Sequence, residues 1–256
     1  MTAAADLGSA SGIQADRGRL RSLIIYPVVL LAALGVLILW LSQADLTETE
    51  LVTLAPGPLL NATLEHLRLT AIATVVVLVI AIPLGILLTR GPMRRWTGAI
   101  MAIANIGQAA PAVGLIVLFA MWMGFGSTAA IVALVVYAVL PVLRNTMVGL
   151  DSVDQSLVEA GRGMGMSALS VLWRIELPLA VPLMLAGIRT ALVLVVGTAT
   201  LATFVSAGGL GVAITTGVNL DLPRVLITGS VLVSLLALAI DWLGRVVEHI
   251  ARPRGL

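Results

Sequence analysis

The chain contains no cysteine and no lysine in 256 residues, and only two histidines. Without cysteine it can form no disulfide, no thiolate metal site and no cysteine nucleophile. His66 and His249 are too far apart to make a histidine cluster. There is no GxxxxGK[ST] phosphate loop. Charge is also scarce, at 11% of residues, where globular chains carry about 25%. Aromatics are limited to five Trp, three Phe and two Tyr, and no aromatic cage of the kind that holds quaternary ammonium groups is evident. No internal repeat is visible at the scale of solenoid units.

What fills the chain instead is apolar: 59% of residues are hydrophobic and the mean hydropathy is +1.09. This composition predicts an integral membrane protein of the all-α class. A helix needs about 20 apolar residues to cross a hydrocarbon core of about 30 Å. The uncharged runs then read as about six spans, near 23–42, 67–89, 103–123, 128–144, 183–205 and 225–244, with a turn at Gly124–Thr128. All fifteen basic residues are arginines, and twelve of them cluster on one side: Arg17, Arg19 and Arg21 before span one, Arg90, Arg94 and Arg95 after span two, Arg144, Arg162 and Arg174 after span four, Arg245, Arg252 and Arg254 after span six, with only Arg68 and Arg224 at the opposite ends of spans two and six. Arginine resists translocation, so these clusters predict that both termini are cytoplasmic. The pI near 9.9 is then a by-product of topology, and no nucleic-acid partner is expected. Trp40, Trp96, Trp122 and Trp242 suit the two interfacial belts, against membrane lipid. The core of span one is longer than a signal-peptide apolar region, which favours an uncleaved anchor. The resulting organisation is a flexible tail over 1–22, span one and its loop over 23–60, a membrane core over 61–246 and a short tail over 247–256.

The exception to this lipid-soluble pattern is the charged loop 151–178. Ser152 with Gln155 three residues on reads as a capping box, and Asp154 suits the first turn of a helix. Val153, Leu157, Ala160 and Met164 recur at helical spacing, leaving Glu159 and Arg162 off the stripe. Gly161, Gly163 and Gly165 argue against a long helix, each costing about 1 kcal/mol relative to alanine. A turn is expected at 163–165. Ser167 then caps a second short helix with Leu169, Leu172 and Trp173 on one stripe, which Pro178 ends before the chain re-enters lipid near Val181.

Within this loop, Glu159-Ala160-Gly161, then Gly165, Ile175, and Leu177-Pro178 resemble the cytoplasmic motif of binding-protein-dependent ABC importer permeases. Gly161 stands where that motif has its second alanine. The resemblance extends through Gln108–Pro111, Pro141–Asn145, Gly187–Ala191, Gly197–Thr200 and Ala207–Gly211, where the chain is similar to permeases for glycine betaine, carnitine, choline or proline. The resemblance implies a type I importer permease in the bacterial plasma membrane. Its implied partners are a dimer of cytoplasmic ABC ATPases, an extracytoplasmic solute-binding protein and a second permease subunit, the same chain or a paralogue. It implies no cofactor on this chain, ATP and Mg being used by the ATPase. Glu159, Ala160, Gly161, Gly165, Ile175, Leu177 and Pro178 would then form the coupling surface.

Inside the membrane, Gln108, Pro111, Thr198, Thr200, Gly208, Gly209 and Gly211 are candidates for a pathway or outer gate, although small and hydroxyl residues also serve close helix packing. Arg189 either snorkels to the interface or pairs with Asp241. An importer for another small solute, such as methionine, a sulfonate or a phosphonate, is the neighbouring alternative. A polytopic channel or enzyme is the alternative from another class. The runs 69–89 and 96–143 carry no charge, which disfavours an enzyme.

Overall fold

The computed structural model of the protein describes residues 25–251. The expected tail 1–22, with Arg17, Arg19 and Arg21, and the terminal Arg252 and Arg254 lie outside the described residues. The chain divides into two units, Met1–Ala44 and Asp45–Leu256. In the first, α1 runs over Ile25–Ser42, long and apolar enough to cross a membrane. The second is entirely helical among its described residues, as the composition predicts.

The second unit begins with a short α2 (Glu48–Thr53), followed by α3 (Pro56–Leu88) and a 3-10 turn over Gly91–Trp96. Then come α4 (Thr97–Ala109), α5 (Ala112–Met123) and α6 (Ser127–Asp151). The loop holds α7 (Gln155–Gly163) and α8 (Ala168–Val171), and continues through a π turn (Leu172–Glu176) into α9 (Leu177–Thr198). A 3-10 stretch (Ala199–Val205), α10 (Gly211–Asn219) and α11 (Pro223–Ala251) complete the unit. α6 is the central helix, packed along both α3 and α9, while α11 lies on α9 and α10. Among the described residues of both units, five helices, α1 included, are long and apolar enough to span, and the bent pair of α4 and α5 makes a sixth if counted as one crossing.

In lipid, helices associate through close packing more than through hydrophobic force, so small residues mark the crossings. On α3, Ala73, Val77, Ala81 and Leu88 are fully buried against Leu134, Ala138 and Val142 of α6 and Ala191 and Val195 of α9. At the crossing of α6 with α9, a Cβ on Gly187 would sit 2.5 Å from Asn145 Cβ and 2.7 Å from the Pro141 carbonyl. One on Gly149 would meet the Ala180 carbonyl at 3.0 Å. Glycine at 187 is thus what lets α9 approach α6 this closely.

The spans depart from their expected limits in physically explicable ways. Span two, expected at 67–89, begins at Pro56, since proline suits the first helical turn and the polar residues 61–68 do not oppose a helix. Span three, expected over 103–123 with Gln108 and Pro111 interrupting its start, bends by 99° between α4 and α5. Pro111 pushes the residue before it out of the helical region, and Ala110 is extended at φ −64, ψ 142. Glycines 124 and 126, at φ +90 and +133, make the expected turn before α6, which runs past 144 to Asp151. Span six extends to Ala251, so residues 247–251, expected in the terminal tail, continue α11.

The stretch after span one holds α2, which the sequence reading passed over. Thr47 and Glu50 cap it reciprocally, and Glu50, 2% exposed, also meets Arg224 Nη1 at 3.3 Å. The Thr47 N–H first, then its hydroxyl and the Arg224 charge, hold the Glu50 carboxyl below its ordinary range.

The crossing supplies a test. Gly187→Val should lose about 1–3 kcal/mol or more to overpacking against backbone, whereas Gly197→Ala, with open space around it, should be neutral. Thermal melting of the purified chain in detergent distinguishes them, and equal melting points would remove the importance given to this crossing.

Candidate functional site

Two regions concentrate polar and strained features, one at the arginine-rich end of the bundle and one at the opposite end. At the first, residues 151–178 fold around a small core of their own. Val153, Val158 and Val171 are buried there, with Met166, Ile175 and Leu179 packed on them, at about 1.5–3 kcal/mol for each large apolar side chain buried. The start of α7 differs from expectation by two residues. Asp154, not Ser152, is the N-cap, its carboxylate accepting the Ser156 N–H at 2.9 Å, and this bond holds its pKa down. Ser152 instead ends α6, its hydroxyl donating to the Gly149 carbonyl.

The buried stripe shifts with the cap. Val158 and Gly161 face inward, while Leu157, Ala160 and Met164, expected on the apolar stripe, are exposed. α7 ends in a Schellman-type turn in which Met166 N–H reaches the Gly161 carbonyl and Gly165 takes φ +81. Glycine at 161 has a different reason. A Cβ there would sit 2.6 Å from Ile175 Cδ1, so Gly161, at the motif's second alanine position, lets the motif's isoleucine pack closely on α7. Ser167 caps α8 through the Ser170 N–H, as expected.

The second helix does not stop at Pro178. Pro178 occupies the first turn of α9, and the π turn before it carries the chain from α8 into α9 as one apolar helical stretch over Ala168–Val205. Span five therefore starts in the loop, well before 183. The missing N–H of Pro178 is accommodated by the wider turn, whose Leu177 N–H returns to Leu172.

An ion pair that the sequence reading missed lies at the base of this loop. Glu176, with a side chain 6% exposed, takes both terminal nitrogens of Arg90, one at 3.0 Å and the other closer. Arg90 stands just beyond α3, so the pair joins the end of α3 to the start of α9 across 86 residues of sequence. Hydrogen bonding to Glu176 raises the Arg90 pKa above its ordinary value. Arg94 and Asp151 add a looser contact at 3.9 Å. The signal for the pair was a lone acid in Ile175-Glu176-Leu177-Pro178, at an apolar boundary facing an arginine cluster.

The loop exposes several large apolar side chains: Leu157 is 46%, Met164 76%, Leu169 64% and Trp173 64% exposed. Arg162 and Arg174 are exposed on it too, and Glu159, on the side of α7 away from Leu157 and Met164, is exposed with no hydrogen bond or ion pair within the described residues. Ala160 and Pro178 are also exposed, and Ile175 and Leu177 are half-buried.

At the opposite end α9 loses α-helical geometry. Its 3-10 continuation ends at Ser206 in the left-handed region, and Gly208 and Gly209 follow at φ +79 and +86. This irregular backbone is tied to α3: Glu65 accepts the Gly209 N–H at 3.0 Å, and His66 Nε2 donates to the Val196 carbonyl at 3.0 Å. Gly211 lies so close to the Thr200 carbonyl that no side chain fits. Of the residues expected at a pathway or gate, Gly208, Gly209, Gly211 and Thr200 meet here. The hydroxyls of Thr198 and Thr200 donate to carbonyls of their own helix, Leu194 and Gly197. Gln108 is half-buried in the last turn of α4, Pro111 forms the bend, and neither hydrogen-bonds to this group among the described residues.

Between these ends, Arg189 Nε lies 3.3 Å from Asp241 Oδ1, the two groups proposed as a pair. Arg189 also meets Glu248 at 3.2 Å, and Asp241 meets Arg245 at 2.9 Å, so α9 and α11 are joined by a network. Among the described residues no group of three or more His, Asp or Glu side chains is placed to hold a metal ion.

The described residues of the second unit thus form a multi-pass helical bundle with a small helical loop at one end. The chain belongs to the family of binding-protein-dependent transport system inner membrane components, which its residues 81–252 match. It is 43% identical over 200 residues to the glycine betaine/carnitine/choline transport system permease protein OpuCB of Bacillus subtilis (strain 168), covering 78% of this chain and 91% of the relative. It is 42% identical, with the same coverage, to the choline transport system permease protein OpuBB of that organism. Among solved structures it is similar to a chain of the MetNI methionine ABC transporter in inward-facing conformations. The TM-score is 0.68 at 25% identity, covering 81% of this chain and 100% of that one. The chain is accordingly a permease component and not itself an enzyme.

Breaking the pair at the loop's base tests its contribution. Removing one partner of a fully buried pair costs about 3–5 kcal/mol; with Arg90 37% exposed, Glu176→Ala should cost about 2 kcal/mol. The exchange Arg90→Glu with Glu176→Arg should recover part of the loss. Melting curves for Glu176→Ala, the singles Arg90→Glu and Glu176→Arg, and their double variant give the answer, and a double variant no more stable than the two reversed singles would count against the pair.

Proposed function

We propose that this chain is the permease subunit of an ATP-driven importer for small osmoprotectants of the glycine betaine, carnitine and choline type. The observation that carries the coupling part is the loop 151–178: a folded body with its own core, large apolar side chains and an unpaired acid exposed on its surface, and an ion-paired joint to two membrane helices. A separate ATPase docks on this loop, contacting Glu159 and the exposed apolar side chains, and ATP with Mg is used on that subunit. Gly161 and Gly165 shape the loop by contact with Ile175 and by the left-handed turn. The arginine-rich end is cytoplasmic, both termini lie on that side of the bacterial plasma membrane, and membrane lipid surrounds the spans. A second permease subunit completes the pathway, and an extracytoplasmic binding protein delivers the solute.

The mechanism follows from connectivity. Closure of the ATPases displaces the loop, and the Arg90–Glu176 pair makes α3 and α9 follow it together. α9 carries the motion across the bilayer, because its 22 residues span about 33 Å at 1.5 Å each. It ends at the 3-10 stretch and the glycine turn 208–211, where regular α-helical bonding stops and a gate can open. Rigid elements with a soft joint transmit displacement where a continuous soft loop would absorb it.

The substrate class rests on the relatives. Two permeases named for choline match at 43% and 42% identity, against 25% for the methionine transporter chain. Methionine is the second reading, favoured only by the structural likeness.

Two measurements test this function. The tagged chain purified in mild detergent should bring an ABC ATPase with it, and cells carrying the assembled transporter should accumulate radiolabelled glycine betaine or choline. Glu159→Lys should leave the chain inserted but reduce ATPase recovery and lower uptake about ten-fold or more, as for loss of an interfacial charge contact. Unchanged uptake would sink the role given to Glu159.

A further inference from the structure

A cavity of about 510 Å³ adjoins the polar break, lined among others by Glu65, Arg68, Ser127, Thr128, Ser206 and Gly208. That volume is within the roughly 300–1,000 Å³ of small-molecule pockets. Glu65 and Arg68 stand three residues apart on α3, hence on one face, and carry opposite charge. They nevertheless form no ion pair with each other or with any other group among the described residues. One oxygen of Glu65 accepts the Gly209 N–H; the other has no protein donor, and Arg68 has no acceptor.

Their depth makes this notable. α3 ends at Leu88, and 88 − 68 gives 20 residues, or about 30 Å, the thickness of the hydrocarbon core. Both charges therefore sit at the far mouth of the membrane domain, away from the arginine-rich end. Uncompensated charges at such a boundary are stable only toward water or a ligand. The cavity has a second locus for an anion. α6 begins there at Ser127, and its N-cap Gly126 provides no side-chain acceptor, so first-turn N–H groups and the positive end of the helix dipole face a region with two hydroxyl residues.

We propose that this cavity is a receiving site for a small zwitterion. Glu65 holds the cationic ammonium end, and Arg68, with the start of α6, holds the carboxylate. The proposal rests on the osmoprotectant reading above and adds to it the residues that meet the solute. Glycine betaine and carnitine carry both charges, whereas choline carries only the cation, so the two halves of the site act differently on them. With no aromatic cage the cation is held by charge alone, in an open cavity, and its residence is brief.

The test uses the whole transporter, with its ATPase and binding protein unaltered, and uptake of radiolabelled glycine betaine and choline at sub-saturating concentration. Rates are normalised to inserted chain that co-purifies with ATPase. Arg68→Gln should lower glycine betaine uptake about ten-fold, the scale of one charge-assisted hydrogen bond, and leave choline uptake within about two-fold. Glu65→Gln should lower both by about ten-fold. Arg68→Lys, which keeps the charge, should restore most glycine betaine uptake. Equal losses for the two solutes in Arg68→Gln, or no loss in Glu65→Gln, overturn the assignment. Failure of the unsubstituted transporter to take up either solute overturns the substrate reading itself, and the proposal with it.

Discussion

A carboxylate shielded from water needs a cation within reach, and Glu176 has one only because Arg90 arrives from the end of another helix. Much of the loop's geometry depends on that pairing. The π turn aims Glu176 at Arg90 while absorbing the N–H that Pro178 lacks. Val171 and Ile175, on the same turns, are then directed at α7, where Gly161 makes room for the isoleucine. A change in the register of the π turn would rotate the acid away from its partner and the isoleucine away from its contact together.

The opposite end obeys a different constraint. Backbone N–H and C=O groups at membrane depth must be satisfied within the protein or toward water. The 3-10 stretch and the glycine turn give up regular α-helical bonding, and neighbouring groups supply substitutes. His66 serves the Val196 carbonyl, Glu65 serves the Gly209 N–H, and threonine hydroxyls bond carbonyls of their own turns. All the long-range substitutes come from two adjacent residues of α3. A movement of α9 relative to α3 must break or exchange them, which links motion of the helix to the conformation of the turn.

How much of this was legible in the sequence depended on the range of the interaction. The apolar runs specified a helical membrane domain, because period and length are local and lipid imposes a length scale. Gly165 and Ser167 were placed correctly for the same reason, their roles being confined to one turn. The start of α7 was misplaced because Ser152 and Asp154 are both capable caps, and only the C-terminal extent of α6 decides between them. The bend at Pro111 was visible as an interruption, but its 99° angle depends on how α4 and α5 each settle on α6. Least legible were the long-range partners: Arg90 with Glu176, Glu65 with Gly209, and Glu50 with Arg224. Each member stood out as a charge near an apolar run, but nothing in one sequence states which distant charge it meets.

Charge placement also bounds what this subunit can select. One carboxylate and one guanidinium in an open cavity offer discrimination of about ten- to a hundred-fold between solutes that differ by a carboxylate, the worth of one charge-assisted contact. They offer almost none among quaternary ammonium groups of different shape, since that requires a close-fitting aromatic enclosure. Tight binding here would also oppose release toward the other side, because transport needs a site the solute can leave. Fine selectivity in such a system therefore belongs to the binding protein, which can enclose its ligand. On the proposed reading of the cavity, the unpaired charges of Glu65 and Arg68 need only receive a solute already chosen.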